Sequence, residues 1–302
     1  MDHLTTEQTN PASQEIDRMS PIEIARLMNK EDLGVVAAIE RVLPDIAKGI
    51  EIVSERLRDG GRLIYLGAGT SGRLGVLDAS ECPPTFNTPP EMVVGIIAGG
   101  TRALTTAIEG AEDNREAGKT DLREVQLSPK DVVCGIATSG RTPYVLGGLE
   151  YARSVGATTL GVTCNASSEM MHWCDVLIAP VVGPEILSGS TRLKAGTATK
   201  MVLNALTTGA MVRIGKTYGN WMVDLRATNH KLKDRSLRIV SGVTGIDRSQ
   251  GSELLARCDG EVKTAIVCQI RGVAPNVARE LLKECGGRLR LAMEKGPEDR
   301  VE

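Results

Sequence analysis

Between residues 62 and about 215, short apolar runs alternate with longer segments of helical periodicity. The candidate strands span residues 62–66, 92–98, 131–137, 158–163 and 175–178, and helical patterns such as 103–125 and 143–155 lie between them. Apolar strands separated by helices favour a parallel sheet with both faces covered. We therefore predict an α/β fold with a doubly wound parallel sheet, in which ligands bind at the carboxyl ends of the strands.

Helical patterns flank this region on both sides. Apolar residues recur at spacings of three and four from Glu31 to Leu57, and Gly60 and Gly61 end that helix. After about residue 225, amphipathic patterns follow at 249–257, 262–269, 276–285 and 287–295. The predicted organisation is an N-terminal helical segment over 1–55, a ligand-binding domain over 56–225 and a small C-terminal helical module over 226–302.

The composition argues against several classes of protein. The 302 residues carry a net charge of −2, which gives no support for nucleic acid or an anionic membrane as a partner. Seven scattered cysteines without a C-x-x-C pair, and only three histidines, predict neither a disulfide framework nor a metal site. No apolar run reaches the ~18 residues of a membrane span, and no signal peptide is recognisable. We expect a cytoplasmic protein that uses no metal and no cofactor.

The first strand runs into the glycine-rich turn Gly67-Ala-Gly-Thr-Ser-Gly72 and then into a helix. Backbone N–H groups at a helix N-terminus favour an anion, most often phosphate. The G-x-G-x-x-G spacing also occurs in dinucleotide-binding proteins, but no carboxylate follows the second strand to take the ribose hydroxyls. Arg102 could instead bind a 2′-phosphate, so a phosphorylated dinucleotide is an alternative ligand. The hydroxyls of Thr70 and Ser71 suit a compact phosphate monoester better.

Two further segments carry the same small, hydroxyl-rich chemistry. Residues 137–142 follow the third strand, and residues 188–197 precede the helical run 198–214. Each segment alone could be only a helix cap, but their recurrence at one sheet edge favours a sugar-phosphate site. Arg192 and Lys194 either bind anionic groups of the substrate or are only the first residues of a helix. The candidate binding residues are Gly69, Thr70, Ser71, Thr138, Ser139, Gly140, Arg141, Thr142, Ser188, Ser190, Arg192 and Lys194.

These segments resemble the sugar isomerase (SIS) domain family, which binds phosphorylated sugars on a flavodoxin-like sheet. Residues 66–85, 107–113 and 189–197 are similar to the N-acetylmuramic acid 6-phosphate etherases, and the resemblance extends from about residue 10 over nearly the whole chain. It implies a lyase that eliminates D-lactate from C3 of the sugar and then adds water, which yields N-acetylglucosamine 6-phosphate. It also implies a homodimer that acts in amino-sugar recycling.

The resemblance to the etherases implies that two glutamates of this chain are catalytic. Glu81, in Asp78-Ala-Ser-Glu-Cys-Pro-Pro, would protonate the leaving lactate oxygen, and Glu112, in Glu109-Gly-Ala-Glu-Asp, would remove the C2 proton. These roles need opposite protonation states at neutral pH, so we expect Glu81 in a poorly solvated site. The prolines after Glu81 predict a rigid turn near the phosphate loop, although Glu81 could merely end the helix. By composition alone Glu112 is an exposed helix residue, and only the motif favours catalysis.

Two other functions share this fold. A non-catalytic regulator that senses sugar phosphates, of the glucokinase-regulatory type, would need the phosphate loops but not both glutamates, and it would carry a duplicated SIS domain. An aldose–ketose phosphate isomerase would share the enolisation chemistry but would not explain the segment from Glu81 to Pro84. The sequence therefore favours the etherase.

Overall fold

The computed structural model of the chain contains a five-stranded parallel sheet in the order β2-β1-β3-β4-β5. This is the flavodoxin-like order, so the predicted doubly wound sheet is confirmed. Each predicted strand is found, and each of its ends agrees within one residue. The strands are β1 (Leu63–Gly67), β2 (Val93–Ile97), β3 (Val132–Ile136), β4 (Thr158–Val162) and β5 (Val176–Ile178).

The structure describes residues 5–225 and 230–294. By backbone proximity the chain forms two compact units, Met1–Ser80 with Pro90–Gly209, and Glu81–Pro89 with Ala210–Glu302. The division into segments 1–55, 56–225 and 226–302 stays a prediction, and parts of its first and last segments lie outside the described residues. No helix within the described ranges is both long enough and apolar enough to cross a bilayer.

The N-terminal segment forms two helices where the periodicity predicts one. The break lies at Arg41 and Val42, and Val42 is two residues before Pro44. A proline at this position has no N–H to donate, and its ring would clash with the carbonyl four residues earlier, so a continuous helix is disfavoured. The two helices are α1 (Pro21–Glu40) and α2 (Leu43–Arg58).

The helix predicted over 103–125 is also wrong in its first half. Two 3₁₀ turns, Thr101–Leu104 and Ala111–Asp113, precede α4 (Arg115–Glu124). Gly110 has a φ of +73°, which an α-helix cannot contain, and Asn114 caps α4 by accepting the backbone N–H of Ala117. The other predicted helices of this region are confirmed as α5 (Pro143–Val155) and α6 (Lys194–Arg213).

The helix after the glycine-rich turn, α3, spans Gly69–Phe86 and continues through Pro83 and Pro84. The turn predicted directly after Glu81 is therefore wrong. The carbonyl of Pro83 still accepts the N–H of Asn87, whose φ of +50° ends the helix.

The second unit is helical and has its own apolar core. The patterns at 249–257, 262–269 and 276–285 are confirmed, and the pattern predicted over 287–295 is found as a helix over Leu289–Glu294, with residue 295 outside the described ranges. Leu254, Ile266, Ala278 and Leu289 are among the buried residues that pack together. The helices are α7 (His230–Thr244), α8 (Arg248–Arg257), α9 (Val262–Arg271), α10 (Pro275–Glu284) and α11 (Leu289–Glu294), with a short hairpin of β6 (Thr217–Tyr218) and β7 (Trp221–Met222).

Candidate active site

Three strands of the sheet end at the same level. The parallel register places Gly67, the last residue of β1, beside Ile97 of β2 and Ile136 of β3. The order of the strands reverses between β1 and β3, which is where ligands bind in open α/β sheets. The turns after β1 and β3, both predicted to bind phosphate, therefore leave the sheet side by side.

The first turn depends on two glycines that touch. A Cβ on Gly67 would lie 2.7 Å from the backbone nitrogen of Gly72, and a Cβ on Gly72 would lie 2.7 Å from the carbonyl oxygen of Gly67. This close approach lets α3 begin directly at the strand end. Thr70 and Ser71 are half-buried in the first turn of that helix, where backbone N–H groups favour an anion.

The second turn, residues 138–142, is held by side chains that follow β4. The carbonyl oxygen of Thr138 accepts hydrogen bonds from Thr163 Oγ1 at 3.0 Å and Asn165 Nδ2 at 2.9 Å, and Ser168 Oγ donates to the Gly140 carbonyl at 3.1 Å. A Cβ on Gly140 would lie 2.0 Å from Ser168 Oγ. Sequence reasoning missed this support, although the polar run at 163–168 directly after a predicted strand was a usable signal.

The third segment is predicted to bind the sugar phosphate, but at the N-terminus of α6 its backbone N–H groups already have a partner. Glu185 is fully buried, and its carboxylate accepts the backbone N–H groups of Lys194 at 3.0 Å and Ala195 at 2.9 Å. These two amides are therefore occupied by a side chain of the same chain. They are not available to a phosphate.

Lys194 is also paired within the chain. Its Nζ lies 2.8 Å from Glu31 Oε2, which also accepts a hydrogen bond from Asn10 Nδ2 at 2.7 Å. Only 6% of the Lys194 side chain is exposed, and its hydrogen bond holds the pKa of Glu31 below the usual range. Of the two alternatives for Lys194, the structure favours the structural one, since the ion pair ties the start of α6 to α1.

The remaining residues of the third segment differ in how close they lie to the glycine-rich turns. A Cβ on Gly196 would lie 3.8 Å from Thr70 Cγ2, so the first turn of α6 lies beside the first glycine-rich turn. Ser188 and Arg192 are exposed, and Ser190 is half-buried. Within the described ranges, no hydrogen bond joins the side chains of these three residues to the other two loops.

A cavity of about 240 Å³ opens at the ends of β1 and β2. Glu112 lines it from the 3₁₀ turn Ala111–Asp113, opposite the start of α3 at Gly69. The structure thus brings one of the two predicted catalytic glutamates to the glycine-rich turn. The lining residues are Ala68, Gly69, Arg73, Ala98, Ala103, Ala107, Ile108, Glu109, Gly110, Ala111 and Glu112.

Glu81 lies elsewhere on α3. The helix begins at Gly69, and the helical rise of 1.5 Å per residue puts Glu81 about 18 Å further along the axis. Its side chain is exposed, so the poorly solvated environment expected for the acid is not found in the single chain.

Asp78 belongs to the motif that contains Glu81, and no local sequence signal gives it a role of its own. Its buried carboxylate accepts hydrogen bonds from Tyr65 Oη on β1 at 2.9 Å, and from Asn204 Nδ2 and Thr207 Oγ1 on α6 at 2.6 and 3.3 Å. Burial raises the pKa of Asp78, and the hydrogen bonds from these partners oppose that shift. The network joins β1, α3 and α6.

A larger cavity, of about 1240 Å³, lies within the second unit. It is lined by charged side chains such as Lys233, Asp234 and Lys263, and by residues of α8 and α9. None of the candidate binding or catalytic residues lines it, so its size does not make it the active site.

Comparisons with known proteins agree with the fold. Models of the glucokinase regulatory protein N-terminal SIS domain and of the SIS domain match residues 45–153 and 120–209. Proteins from Rhodopirellula baltica and Brucella anthropi, both named N-acetylmuramic acid 6-phosphate etherase, are 60% and 56% identical to this chain. The first match covers 96% of both chains, and the second covers 97% of this chain and 95% of the relative.

Among solved structures, a phosphoheptose isomerase from Francisella tularensis matches with a TM-score of 0.52. The match covers 64% of this chain and 100% of that chain at 16% identity. At this identity the likeness concerns the fold alone.

Proposed function

The chain belongs to the N-acetylmuramic acid 6-phosphate etherase family, and from this premise we propose how its residues carry out the family's reaction. The enzyme is a lyase that cleaves the D-lactyl ether of N-acetylmuramic acid 6-phosphate, giving N-acetylglucosamine 6-phosphate and D-lactate in amino-sugar recycling. The observation that carries this conclusion is the identity of 60% and 56% to etherases that are matched along nearly their whole length. A regulator or an isomerase on the same fold does not account for it.

The reaction needs both an acid and a base. In the open-chain sugar, loss of the C2 proton and departure of the C3 oxygen leave a double bond conjugated with the C1 aldehyde. Water then adds at C3, and a proton returns to C2. Such a proton is only modestly acidic and an alkoxide leaves poorly, so general acid–base catalysis contributes about 10²- to 10⁴-fold for each group.

Glu112 is our candidate for the base. Its place in the cavity beside Gly69 supports a role close to a substrate whose phosphate is bound by the adjoining turns. In the hydration half of the reaction, protonated Glu112 returns its proton to C2.

Glu81 is our candidate for the acid that protonates the lactate oxygen, and the resemblance of its motif supports this role. After the elimination, the Glu81 carboxylate takes a proton from the water that attacks C3.

We assign the phosphate to the turns at 69–71 and 138–142. These turns offer hydroxyl groups and backbone N–H groups at the switch point of the sheet. The third segment contributes less in this proposal, because Glu185 occupies two amides of α6 and Glu31 pairs with Lys194.

The homodimer is likewise a proposal. Leu33 and Val36 on α1 are 71% and 61% exposed, and Ile22 and Leu43 are more than half exposed. An apolar surface of this kind is suited to cover by a second copy of the chain. We also propose the cytoplasm as the location, because a sugar phosphate with a second anionic group does not cross a bilayer unaided.

The direct test is to incubate the purified protein with N-acetylmuramic acid 6-phosphate. We expect stoichiometric D-lactate, detected with D-lactate dehydrogenase, and N-acetylglucosamine 6-phosphate, detected by mass spectrometry. Binding of the sugar phosphate without D-lactate would favour the regulator. Interconversion of aldose and ketose phosphates without D-lactate would favour the isomerase.

A further inference from the structure

The cavity at the ends of β1 and β2 contains one cationic side chain, Arg73. Apart from Glu109 and Glu112, the rest of its lining is small or apolar. Arg73 lies in the second turn of α3, and its Nε donates a hydrogen bond to the carbonyl oxygen of Leu104 at 3.0 Å. Because this bond uses only Nε, it fixes the guanidinium plane and leaves both Nη groups to other partners.

Both Nη groups have no protein partner within residues 5–225 and 230–294. In particular, Arg73 forms no ion pair with Glu109 or Glu112, which line the same cavity. A guanidinium anchored through one nitrogen presents two parallel N–H donors, which is the geometry that a carboxylate accepts. The cavity therefore offers a place for one carboxylate of a ligand.

The substrate carries two anionic groups, and the charges of the cavity favour one of them. A phosphate dianion placed here would face two glutamates with a single cation to offset the repulsion, whereas the neighbouring turns offer uncharged donors. If Glu112 is the base, the cavity holds the C2 and C3 end of the sugar. The lactyl group is attached at C3, so its carboxylate lies within a few ångströms of C2.

We propose that Arg73 binds the lactyl carboxylate of the substrate and so makes the enzyme selective for sugars with an acidic ether substituent. This assignment rests on the proposed function and adds a residue for the leaving group. The contact holds the ether oxygen in place for protonation, and it also retains D-lactate after cleavage.

The test compares N-acetylmuramic acid 6-phosphate with the analogue whose lactyl carboxylate is replaced by a carboxamide. The wild-type enzyme should prefer the carboxylate by about 10- to 100-fold in kcat/KM, the range expected for a charge-assisted pair. Arg73→Met should lose this preference, with a lower kcat/KM for the natural substrate and a change of less than about 3-fold for the amide. Arg73→Lys keeps the positive charge but not the two parallel N–H donors of the guanidinium, so it should retain part of the preference for the carboxylate.

A matched control is Arg102→Met. Arg102 is exposed in the neighbouring 3₁₀ turn Thr101–Leu104 and does not line the cavity. This variant should keep the wild-type preference for the carboxylate.

A binding measurement separates the two anionic groups of the substrate. N-acetylglucosamine 6-phosphate has the phosphate but no lactyl group, so its Kd should change by less than about 3-fold in Arg73→Met, which also shows that the variant is folded. If Arg73→Met weakens the binding of N-acetylglucosamine 6-phosphate as much as it lowers kcat/KM for the natural substrate, Arg73 binds the phosphate. That result would overturn the proposal.

The outcomes also separate this proposal from the function it rests on. If the wild-type enzyme releases no D-lactate, the proposed function fails. If the wild-type enzyme is active and Arg73→Met keeps the full preference for the carboxylate, only the role of Arg73 is refuted.

Discussion

The carboxylate of Glu185 caps the helix that begins at Lys194, with its Oε2 3.0 Å from the Lys194 backbone nitrogen. The other oxygen accepts the next N–H, that of Ala195. A helix N-terminus beside the first glycine-rich turn is thus neutralised by a buried side chain. In consequence, the N-terminal charge of α6 stabilises the fold, and we propose that the turns after β1 and β3 bind the substrate phosphate instead.

Loss of this cap should destabilise the first unit. In Glu185→Ala two buried N–H groups lose their acceptor, so we expect the free energy of unfolding in urea to fall by about 2–4 kcal/mol. Glu185→Gln keeps one acceptor oxygen, so its free energy of unfolding should fall by less. Glu169→Ala removes a largely exposed glutamate and should change the value by less than about 0.5 kcal/mol. Equal effects of Glu185→Ala and Glu169→Ala would contradict the capping role.

Asp78 should make stability depend on pH in a defined direction. Burial raises its pKa in the folded protein above the unfolded value of about 3.9. A group with a raised pKa contributes stability below its unfolded pKa and loses that contribution as pH rises through the folded pKa. The free energy of unfolding of wild type relative to Asp78→Asn should therefore fall as pH rises from about 4, which urea denaturation across this range measures.

The same position offers a second comparison. Asp78→Ala leaves the side chains of Tyr65, Asn204 and Thr207 without their shared acceptor and should cost about 1–3 kcal/mol at neutral pH. Asp78→Asn keeps an acceptor oxygen and should cost clearly less. If the difference between wild type and Asp78→Asn does not vary with pH, the raised pKa is refuted.

The base can be identified by isotope exchange. We expect Glu112→Gln to lose at least about 100-fold in the exchange of the C2 proton with deuterated water, followed by NMR, because we assign Glu112 as the base that takes this proton. Asp113→Asn changes the adjacent exposed carboxylate, which does not line the cavity, and should exchange normally. Glu81→Gln should slow ether cleavage and keep some exchange. Exchange that survives in Glu112→Gln would mean that another residue is the base.

Mixing two inactive variants tests whether both glutamates act from one chain. About 18 Å of helix separates Glu81 from the start of α3 at Gly69, so we expect Glu81 to act at the site of a second copy. Glu81→Gln and Glu112→Gln, unfolded and refolded together, would then form mixed dimers with one competent site. Random pairing predicts recovery of about a quarter of wild-type activity. No recovery, although mixed dimers are detected by differential tagging, would place both residues in the same chain.

The sequence by itself determined the sheet, its strand limits and the two turns at the switch point. The strands are short, mostly apolar runs, and each turn is a local pattern of small residues, so neighbours along the chain are enough to specify them. The motif around Glu81 was equally local, and the full-length relatives confirm the family that it indicated.

Only the tertiary structure decided what the charged side chains do. Lys194 meets Glu31, 163 residues away, and Asp78 meets Asn204, 126 residues away. No local pattern reports such pairs, because they depend on which elements pack together. The same holds for Arg73, whose place in the cavity follows from the fold of residues 98–112 against α3. Periodicity thus specifies the scaffold, whereas contacts between distant segments determine which polar groups remain available for a substrate.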